Sequence, residues 1–492
     1  MNYRLRIQSP GRSWACSSLF AALSLFATPR ANADVKLNAL FSDHMVLQQG
    51  MRVPVWGTAD EGEKVAVAFG GKTVSTVAHN GKWTVKLPSL KSNSKPGTLV
   101  VTGNNKIELN DVLVGEVWIA SGQSNMEFAL RNSYQSQNDI AAAANPNIRL
   151  FTVPKLKANQ PVEDIKSSWQ ECDPQTSPGF SAVAYYFARD LQKDLGVPIG
   201  VIHTSWGGSP AEVWTSEDLL SGNPEYKRDI LDTFAAQDRK HQEDVAKWEA
   251  ESARLKAEGK QPARGRPGTG WKPTELYNGM IAPLIPYAIN GAIWYQGESN
   301  AGRAYQYRSL FADMIRNWRA KWQQGDFTFL EVQLAPWDKS KKRSVEEITR
   351  TAGDSDWAEL REAQWLATRT LPNVGMAVIT DAGDKDDIHP TRKEPVGHRL
   401  ALVAEKIAYH RHVVASGPSF KKLKVNGNEA VLSFDNVNGG LEAKDGDLKG
   451  FAIAGEDHKW VWGKAEIKGD KIIVTSPEVE KPVAVRYGWS DF

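Results

Sequence analysis

The sequence has very little cysteine and almost no net charge. Among its 492 residues there are two cysteines, Cys16 and Cys172, and Cys16 lies in an N-terminal segment that we expect to be removed. One remaining cysteine excludes an intrachain disulfide. The 60 basic and 58 acidic residues give a formal net charge of +2. This balance argues against a general nucleic-acid-binding protein, which would carry a clear basic excess.

The sequence also lacks metal-binding patterns and, beyond its N-terminus, long apolar runs. The nine histidines are scattered, without His-x-His or His-Glu-x-x-His spacing, so the sequence predicts no metal site. After residue 33 no stretch approaches the ~20 apolar residues that cross a bilayer. We therefore expect no membrane-spanning segment in the mature chain.

The first 33 residues have the organisation of a signal peptide. Three arginines precede an apolar stretch over 14–27, and Ala31-Asn32-Ala33 forms a small-residue cleavage pattern before Asp34. This order of a basic start, a short apolar stretch and small residues is typical of export signals. We expect a soluble mature protein in the periplasm or outside the cell.

Three regions follow, each with its own pattern. Residues 34–110 contain short runs rich in β-forming residues and predict a small β-sandwich. Over 111–411 apolar runs alternate with amphipathic stretches, which predicts βαβ units around a mostly parallel sheet. Residues 412–492 return to β character. Within the middle region, about 222–270 is rich in Lys, Glu, Ala and Gln and is interpreted as a helical surface insertion.

The middle region predicts strands and helices in regular alternation. The predicted strands are 112–120, 197–203, 291–296, 327–334 and 374–380, and the predicted helices are 126–132, 182–192, 305–322, 359–370 and 394–410. In such sheets, functional residues gather where the strands end at their carboxyl side.

Ser124 follows the first of these strands, within SGQSNM at 121–126. A serine at the carboxyl end of a strand, with backbone N–H groups of a helix start nearby, is where acyl-transfer enzymes place a nucleophile. The Gly-x-Ser-x-Gly elbow of α/β-hydrolases is absent, because Met126 replaces the second glycine. Taken alone, Ser124 is better explained as a helix N-cap.

A second cluster, DKDDIHP at 384–390, follows the last predicted strand. Its histidine, His389, has Asp387 two residues before it and Asp386 three residues before it. A carboxylate beside a histidine can hold the ring in one tautomer as a general base. The alternative is a turn that caps the next helix.

Two further polar bends follow predicted strands. SWGGSPAE at 205–212 contains Gly207 and Gly208, whose backbone can approach a ligand closely. WYQGESNA at 294–301 contains Gln296, Glu298 and Asn300. The amide and hydroxyl groups of this bend could donate to a developing oxyanion or fix the nucleophile's loop. Four such bends at one sheet edge favour a shared site over four unrelated turns.

Taken in order, SGQSNM, SWGGSPAEVW, WYQGESNA and DIHP resemble the sialate O-acetylesterases of the SGNH hydrolase superfamily, as does LFSDHMVLQQ at 40–49. The resemblance covers nearly the whole mature chain. It implies a flavodoxin-like three-layer αβα hydrolase domain flanked by small β-sandwich-like domains. It also implies cofactor-free removal of O-acetyl groups from sugars.

The resemblance also implies roles for individual residues. Ser124 would be the nucleophile and His389 the base. Superfamily spacing selects Asp386 as the third member, whereas the local DIHP motif selects Asp387. The oxyanion donors would be the Ser124 N–H, the N–H of Gly207 or Gly208, and the side-chain amide of Gln296 or Asn300, while Glu298 could orient a neighbour.

The expected substrate is an acetylated carbohydrate, most simply an O-acetylated sialic acid. Acetylated xylan or another polysaccharide is an alternative within the same chemistry. An alternative of another class is a non-catalytic carbohydrate-binding protein, which the flanking β regions and the 18 tryptophans would also suit. The presence of serine, histidine and aspartate together favours the enzyme.

Overall fold

The computed structural model describes residues 34–444 and 446–492 of the chain. The predicted signal peptide, residues 1–33, lies outside the described residues. The described part is a mixed α/β protein. None of the helices in these two ranges combines the length and apolar character needed to span a bilayer.

The N-terminal region is built from short strands whose side chains alternate between a buried and an exposed face, as the period of two in a half-buried strand requires. In Lys82–Leu87, for example, every second side chain is buried. The strands are β1 Lys36–Leu37, β2 Val46–Gln48, β3 Val53–Thr58, β4 Lys64–Phe69, β5 Lys72–Val77, β6 Lys82–Leu87, β7 Asn93–Thr102 and β8 Lys106–Gly122.

A largely parallel sheet forms the centre of the molecule. Its strands lie in the order β10-β9-β11-β8-β12-β13-β14, and β10 alone among these seven described strands runs antiparallel to its neighbour. The additional strands are β9 Asn145–Thr152, β10 Trp169–Cys172, β11 Ile199–Ser205, β12 Gly291–Tyr295, β13 Thr328–Val332 and β14 Val374–Ala377.

Helices cover both faces of this sheet. Because successive side chains of a strand point to opposite faces, Trp118 and Ala120 of β8 enter one hydrophobic core and Val117 and Ile119 enter another. The helices are α1 Ser124–Glu127, α2 Ser136–Ala141, α3 Ala182–Leu195, α4 Glu217–Gly222, α5 Pro224–Tyr226, α6 Thr233–Ala257, α7 Ala304–Trp322, α8 Val345–Ile348, α9 Asp356–Thr370 and α10 Glu394–Ile407. Helices α3 and α10 contribute to the first core, and α7 and α9 to the second.

Strand β8 connects the N-terminal strands with the central sheet. Its first half pairs with β7, and its second half pairs with β11 and β12. The strand therefore passes through position 110, where the sequence analysis divides the chain. That division stays a prediction, and so does the one at 411.

The C-terminal region has its own small core between two antiparallel sheets, one ordered β15-β16-β20-β19 and the other β18-β17-β21. Its strands are β15 Ser419–Asn426, β16 Glu429–Asp435, β17 Phe451–Ala454, β18 Val461–Trp462, β19 Lys464–Lys468, β20 Lys471–Thr475 and β21 Ala484–Tyr487. In the predicted insertion, α6 is a long helix without a buried residue.

The predicted strands and helices of the middle region are confirmed with shifts of up to six residues at the ends, apart from one helix, and two strands were not predicted. A continuous helix over 126–132 is wrong. Helix α1 ends at Glu127, because the next residue, Phe128, has a non-helical ψ of 115°, and a short 3₁₀ turn follows. The carbonyl of Phe128 accepts the N–H of Ala182 at 2.8 Å, and the N–H of Leu130 donates to Phe180 at 2.9 Å. Pairing with this distant segment replaces helical hydrogen bonds. The two strands that were not predicted are β9 and β10.

We predict that Gly397→Ala destabilises the protein by about 1–3 kcal/mol, the usual range for overpacking. Gly397 lies where α10 crosses α3, and a Cβ there would be 2.5 Å from the Cβ of Tyr186 and 2.7 Å from the backbone nitrogen of Phe187. Urea unfolding followed by tryptophan fluorescence measures the change. Gly222→Ala in α4 is the matched control, because its Cβ would meet nothing within 4 Å. Equal stability of the two variants would contradict the prediction.

Candidate active site

Strand β8 ends in a turn that brings Ser124 to the carboxyl edge of the sheet. Gly122 has a φ of +136°, and a Cβ at this position would lie 2.2 Å from the carbonyl oxygen of Tyr295. Only glycine permits this approach of β8 to β12. The N–H of Gln123 then donates to the same carbonyl at 2.9 Å. Gln123 is the residue that precedes α1, so Ser124 is its first helical residue and not its N-cap.

Ser124 meets His389 at this edge. The Oγ of Ser124 lies 2.8 Å from the Nε2 of His389, within hydrogen-bonding distance, although the two residues are 265 positions apart. His389 belongs to the segment that follows β14, and 39% of its side chain is exposed. The arrangement lets the imidazole receive the hydroxyl proton while a ligand reaches both groups.

The two aspartates before His389 have different surroundings. The Oδ1 of Asp387 accepts the backbone N–H of His389 at 2.8 Å and lies 3.8 Å from the ring Nδ1. The carboxylate of Asp386 instead pairs with the ammonium of Lys385. In this structure Asp387 is thus the acid close to the side of the imidazole that faces away from Ser124.

The imidazole of His389 is held towards its neutral form. Burial and the nearby ammonium of Lys393 lower its pKa below the ordinary value, and Asp387 opposes them; Lys341 adds a smaller lowering effect. A neutral imidazole is the form that can accept a proton from serine.

The glycine bend after β11 lies beside Ser124. A Cβ on Gly207 would be 3.3 Å from the Cβ of Ser124. The N–H of Gly207 donates to the Oε2 of Glu127 at 2.7 Å, so this proposed oxyanion donor has a carboxylate partner here. Gly208 has a φ of +74°, a left-handed conformation that glycine adopts without strain.

The two side-chain amides that the sequence suggests as oxyanion donors are buried, and both are hydrogen-bonded to other groups of the protein. Gln296 is 0% exposed and donates to the carbonyl of Ser209 at 3.2 Å and to the Oδ1 of Asn300 at 2.7 Å. Asn300 is 1% exposed, accepts the N–H of Ala211 at 2.9 Å and donates to Glu212 at 3.0 Å. Both amides connect the bend after β12 to the segment that follows Gly208.

Glu298 belongs to a buried polar group that the sequence analysis did not recognise. Its Oε1 accepts from the Nδ2 of Asn125 at 2.6 Å, and the Oδ1 of Asn125 accepts from the ammonium of Lys393 at 2.5 Å. Burial raises the pKa of Glu298 and lowers that of Lys393 to about 7. Lys393 lies four residues after His389, but a lysine ahead of a helix carries no distinctive sequence signal.

A wall of two tryptophans and two lysines flanks the glycine bend, and we call it the Trp–Lys wall: Trp206, Trp271, Lys155 and Lys157. The two indole rings meet edge to face, with centroids 5.5 Å apart. The ammonium of Lys157 lies 4.2 Å from the centroid of the Trp271 ring, and that of Lys155 lies 5.3 Å from the Trp206 ring. Lys155 also pairs with Glu127 at 2.6 Å, so the wall begins directly beside Gly207.

One cluster in the described residues brings three possible metal ligands together, namely His44, Asp111 and Glu171, whose ligand atoms lie within 4.8 Å of one another. Arg149 already bonds both carboxylate oxygens of Asp111. The guanidinium supplies the positive charge that a cation would provide. The cluster lies near the start of β8, away from the end that leads to Ser124.

A serine hydroxyl bonded to an imidazole at the carboxyl edge of a parallel sheet is the arrangement of a serine hydrolase. Comparison with known proteins narrows this class. The family model described as "Carbohydrate esterase, sialic acid-specific acetylesterase" matches residues 263–404. A crystal structure of a carbohydrate acetylesterase from Xanthomonas citri is 38% identical, with a TM-score of 0.77, over 93% of this chain and 95% of that chain.

Curated relatives extend the likeness over nearly the whole length. Sialate O-acetylesterase from Homo sapiens is 27% identical over 96% of this chain and 91% of the human protein. The Mus musculus enzyme is also 27% identical, over 94% of this chain and 90% of its own length. The chain belongs to the sialic acid-specific acetylesterase family of carbohydrate esterases, and it is an esterase.

We predict that kcat/KM for an acetyl ester falls on the acid side with an apparent pKa below 6.5, about tenfold per pH unit beneath it. The base must be neutral, and the lowered pKa of His389 keeps it neutral to a lower pH than a free histidine. A pH series with p-nitrophenyl acetate measures this. Full recovery of activity after return to neutral pH is the control for acid unfolding, and an apparent pKa above 6.5 would contradict the prediction.

Proposed function

We propose that the protein is a sialate O-acetylesterase in which Ser124 is the nucleophile and His389 the general base. The observation that carries this proposal is the 2.8 Å contact between Ser124 Oγ and His389 Nε2. Membership in the esterase family supports the reaction, and the contact supports the assignment of residues.

The reaction proceeds in two halves. Nε2 of His389 takes the proton of Ser124 as Oγ attacks the acetyl carbonyl carbon, forming a tetrahedral oxyanion. His389 then gives that proton to the departing sugar oxygen, and the acetyl group stays on Ser124. A water molecule, deprotonated by His389, attacks the acetyl-enzyme, and acetate leaves as Ser124 regains its proton.

The supporting groups follow from their positions. Asp387 stabilises the protonated imidazole. Asp387 is favoured over Asp386 for this role because Asp386 pairs with Lys385. The backbone N–H groups of Ser124 and Gly207 stabilise the oxyanion. Since Gly207 donates to Glu127 in this structure, Glu127 turns aside when substrate binds. Gln296 and Asn300 hold the bend after β12 in place and do not donate hydrogen bonds to the oxyanion.

The wider assignments belong to the same proposal. The hydrolase region, 111–411, is a flavodoxin-like three-layer αβα domain of the SGNH type, with β domains at 34–110 and 412–492. The helices on both faces of the central sheet support the three-layer arrangement, and the separate core of the C-terminal strands supports the second β domain. The export pattern in residues 1–33 supports a periplasmic or secreted location.

The proposed substrate is an O-acetylated sugar that carries a carboxylate, as sialic acids do. The Trp–Lys wall supports this choice, because an indole packs against a sugar ring and an ammonium donates hydrogen bonds to a carboxylate. In this structure Lys155 pairs with Glu127 and Lys157 with Glu275, so both ammonium groups can take a carboxylate partner. A neutral acetylated polysaccharide is the second candidate, since the relative from Xanthomonas citri is a carbohydrate acetylesterase.

We predict that Ser124→Ala lowers kcat for p-nitrophenyl acetate by about 10³-fold or more, as loss of a catalytic nucleophile does. A fluorophosphonate probe should label the wild type and not the variant. Ser75→Ala, on the exposed face of β5, is the matched control and should keep full activity. Retention of most activity in Ser124→Ala would refute the nucleophile assignment, and absence of both hydrolysis and labelling in the wild type would favour a carbohydrate-binding protein.

We predict that Lys157→Met reduces kcat/KM for O-acetylated N-acetylneuraminic acid about tenfold, the usual effect of losing a charge-assisted contact. Acetate release from a neutral acetylated xylo-oligosaccharide should change less than twofold. Lys193→Met, an exposed lysine of α3, is the matched control. Equal losses on both substrates would contradict a role in recognising the carboxylate and would favour the neutral polysaccharide.

A further inference from the structure

Lys393 is a fully buried lysine immediately behind the reacting groups. It is 0% exposed and precedes α10. Its ammonium faces the rings of Phe128, 4.8 Å away, and Tyr295, 5.4 Å away. Burying an ammonium is costly unless it is paired. Such a group persists where its contacts serve the site, so its hydrogen-bond partner is informative.

That partner, Asn125, uses both ends of its amide. Its Oδ1 accepts from Lys393 at 2.5 Å, and its Nδ2 donates to the Oε1 of Glu298 at 2.6 Å and to the carbonyl oxygen of Ile388 at 2.9 Å. Asn125 directly follows Ser124, and Ile388 directly precedes His389. One side chain therefore joins the chain neighbours of the serine and of the histidine.

The connection matters because the serine and the histidine belong to separate segments. Ser124 follows β8, whereas His389 lies between β14 and α10. Their hydrogen bond depends on how these segments are held relative to each other. In enzymes a displacement of about 1 Å from the productive geometry can cost 10²-fold in rate. A buried cross-link one residue away from each group limits that displacement.

We propose that Lys393 is a positioning residue of the esterase, which acts through the side chain of Asn125 to hold Ser124 and His389 within hydrogen-bonding distance. Glu298 completes the arrangement by accepting the second amide hydrogen of Asn125 and by balancing the charge of Lys393. This inference rests on the proposed roles of Ser124 and His389. It concerns how the two groups are held and not what they do.

Lys393 also affects the charge state of the base. The charged groups that act on His389 are Lys393 and Lys341, which lower its pKa, and Asp387, which raises it. The charges of Glu298 and Asp387 act in turn on Lys393 and oppose the lowering of its pKa by burial. Removal of its positive charge therefore raises the pKa of His389, and the acid limb of the pH profile moves to higher pH.

The test compares Lys393→Met with wild type, using the full chain and p-nitrophenyl acetate. We expect kcat to fall about 10²-fold, KM to change less than threefold, and the acid limb to move to higher pH. Lys406→Met, an exposed lysine near the end of the same helix, is the matched control and should leave all three unchanged. An unchanged kcat, or an unmoved acid limb, would overturn the proposal.

A double-mutant cycle separates positioning from general damage. If Lys393 acts through Asn125, Lys393→Met adds less than threefold to the loss of kcat that Asn125→Ala causes, because the contact is already broken. Multiplicative losses would overturn the proposal.

Should Lys393→Met fail to fold, Asn125→Asp replaces it. The new carboxylate still accepts from Lys393 but cannot donate to Ile388 or Glu298. A wild-type kcat in that variant would overturn the proposal, whereas hydrolysis surviving Ser124→Ala would instead refute the proposed function.

Discussion

The hydrogen bond between Ser124 and His389 is the contact on which the proposed chemistry depends, and much of the surrounding structure serves to make it possible. The serine reaches the sheet edge because β8 approaches β12 at Gly122, where a side chain would collide with the carbonyl of Tyr295. The histidine lies 265 positions further along the chain, in a short segment between β14 and α10. The two segments can lie side by side because the carboxyl ends of parallel strands are at the same edge of the sheet.

The two sides of this contact differ in their exposure to solvent. Behind it, Asn125, Glu298 and Lys393 form a buried group in which each carries a hydrogen bond to another. In front of it, His389 is partly exposed, and the Trp–Lys wall offers aromatic faces and ammonium groups. Breaking either of these hydrogen bonds would leave a buried polar group unpaired, which is costly. The open side is where a sugar can bind, and Glu127 is shared between Lys155 and Gly207 at the boundary.

How far the sequence could predict the structure depended on how local each determinant was. Strand β12, for example, is buried on both faces, and its sequence GAIWY is therefore an unbroken apolar run. Strand β9 escaped prediction because its sequence, NPNIRLFT, includes a buried arginine, Arg149, that pairs with Asp111. The helix expected after Ser124 ends early because Phe128 and Leu130 bond to the segment around Phe180. Helical propensity could not reveal that competing contact.

By itself, the sequence determined the alternation of strands and helices and the presence of polar bends after four strands, because hydrophobic periodicity and turn-forming residues act over short distances. It also indicated Ser124 and His389 as candidate site residues, through local motifs, and the two lie within hydrogen-bonding distance. Only the tertiary structure decided that Asp387 rather than Asp386 faces the imidazole, that Gln296 and Asn300 are buried in the loop support, and that Lys393 reaches Asn125. Those outcomes depend on which distant groups become neighbours when charge and hydrogen-bonding capacity must be satisfied inside the protein.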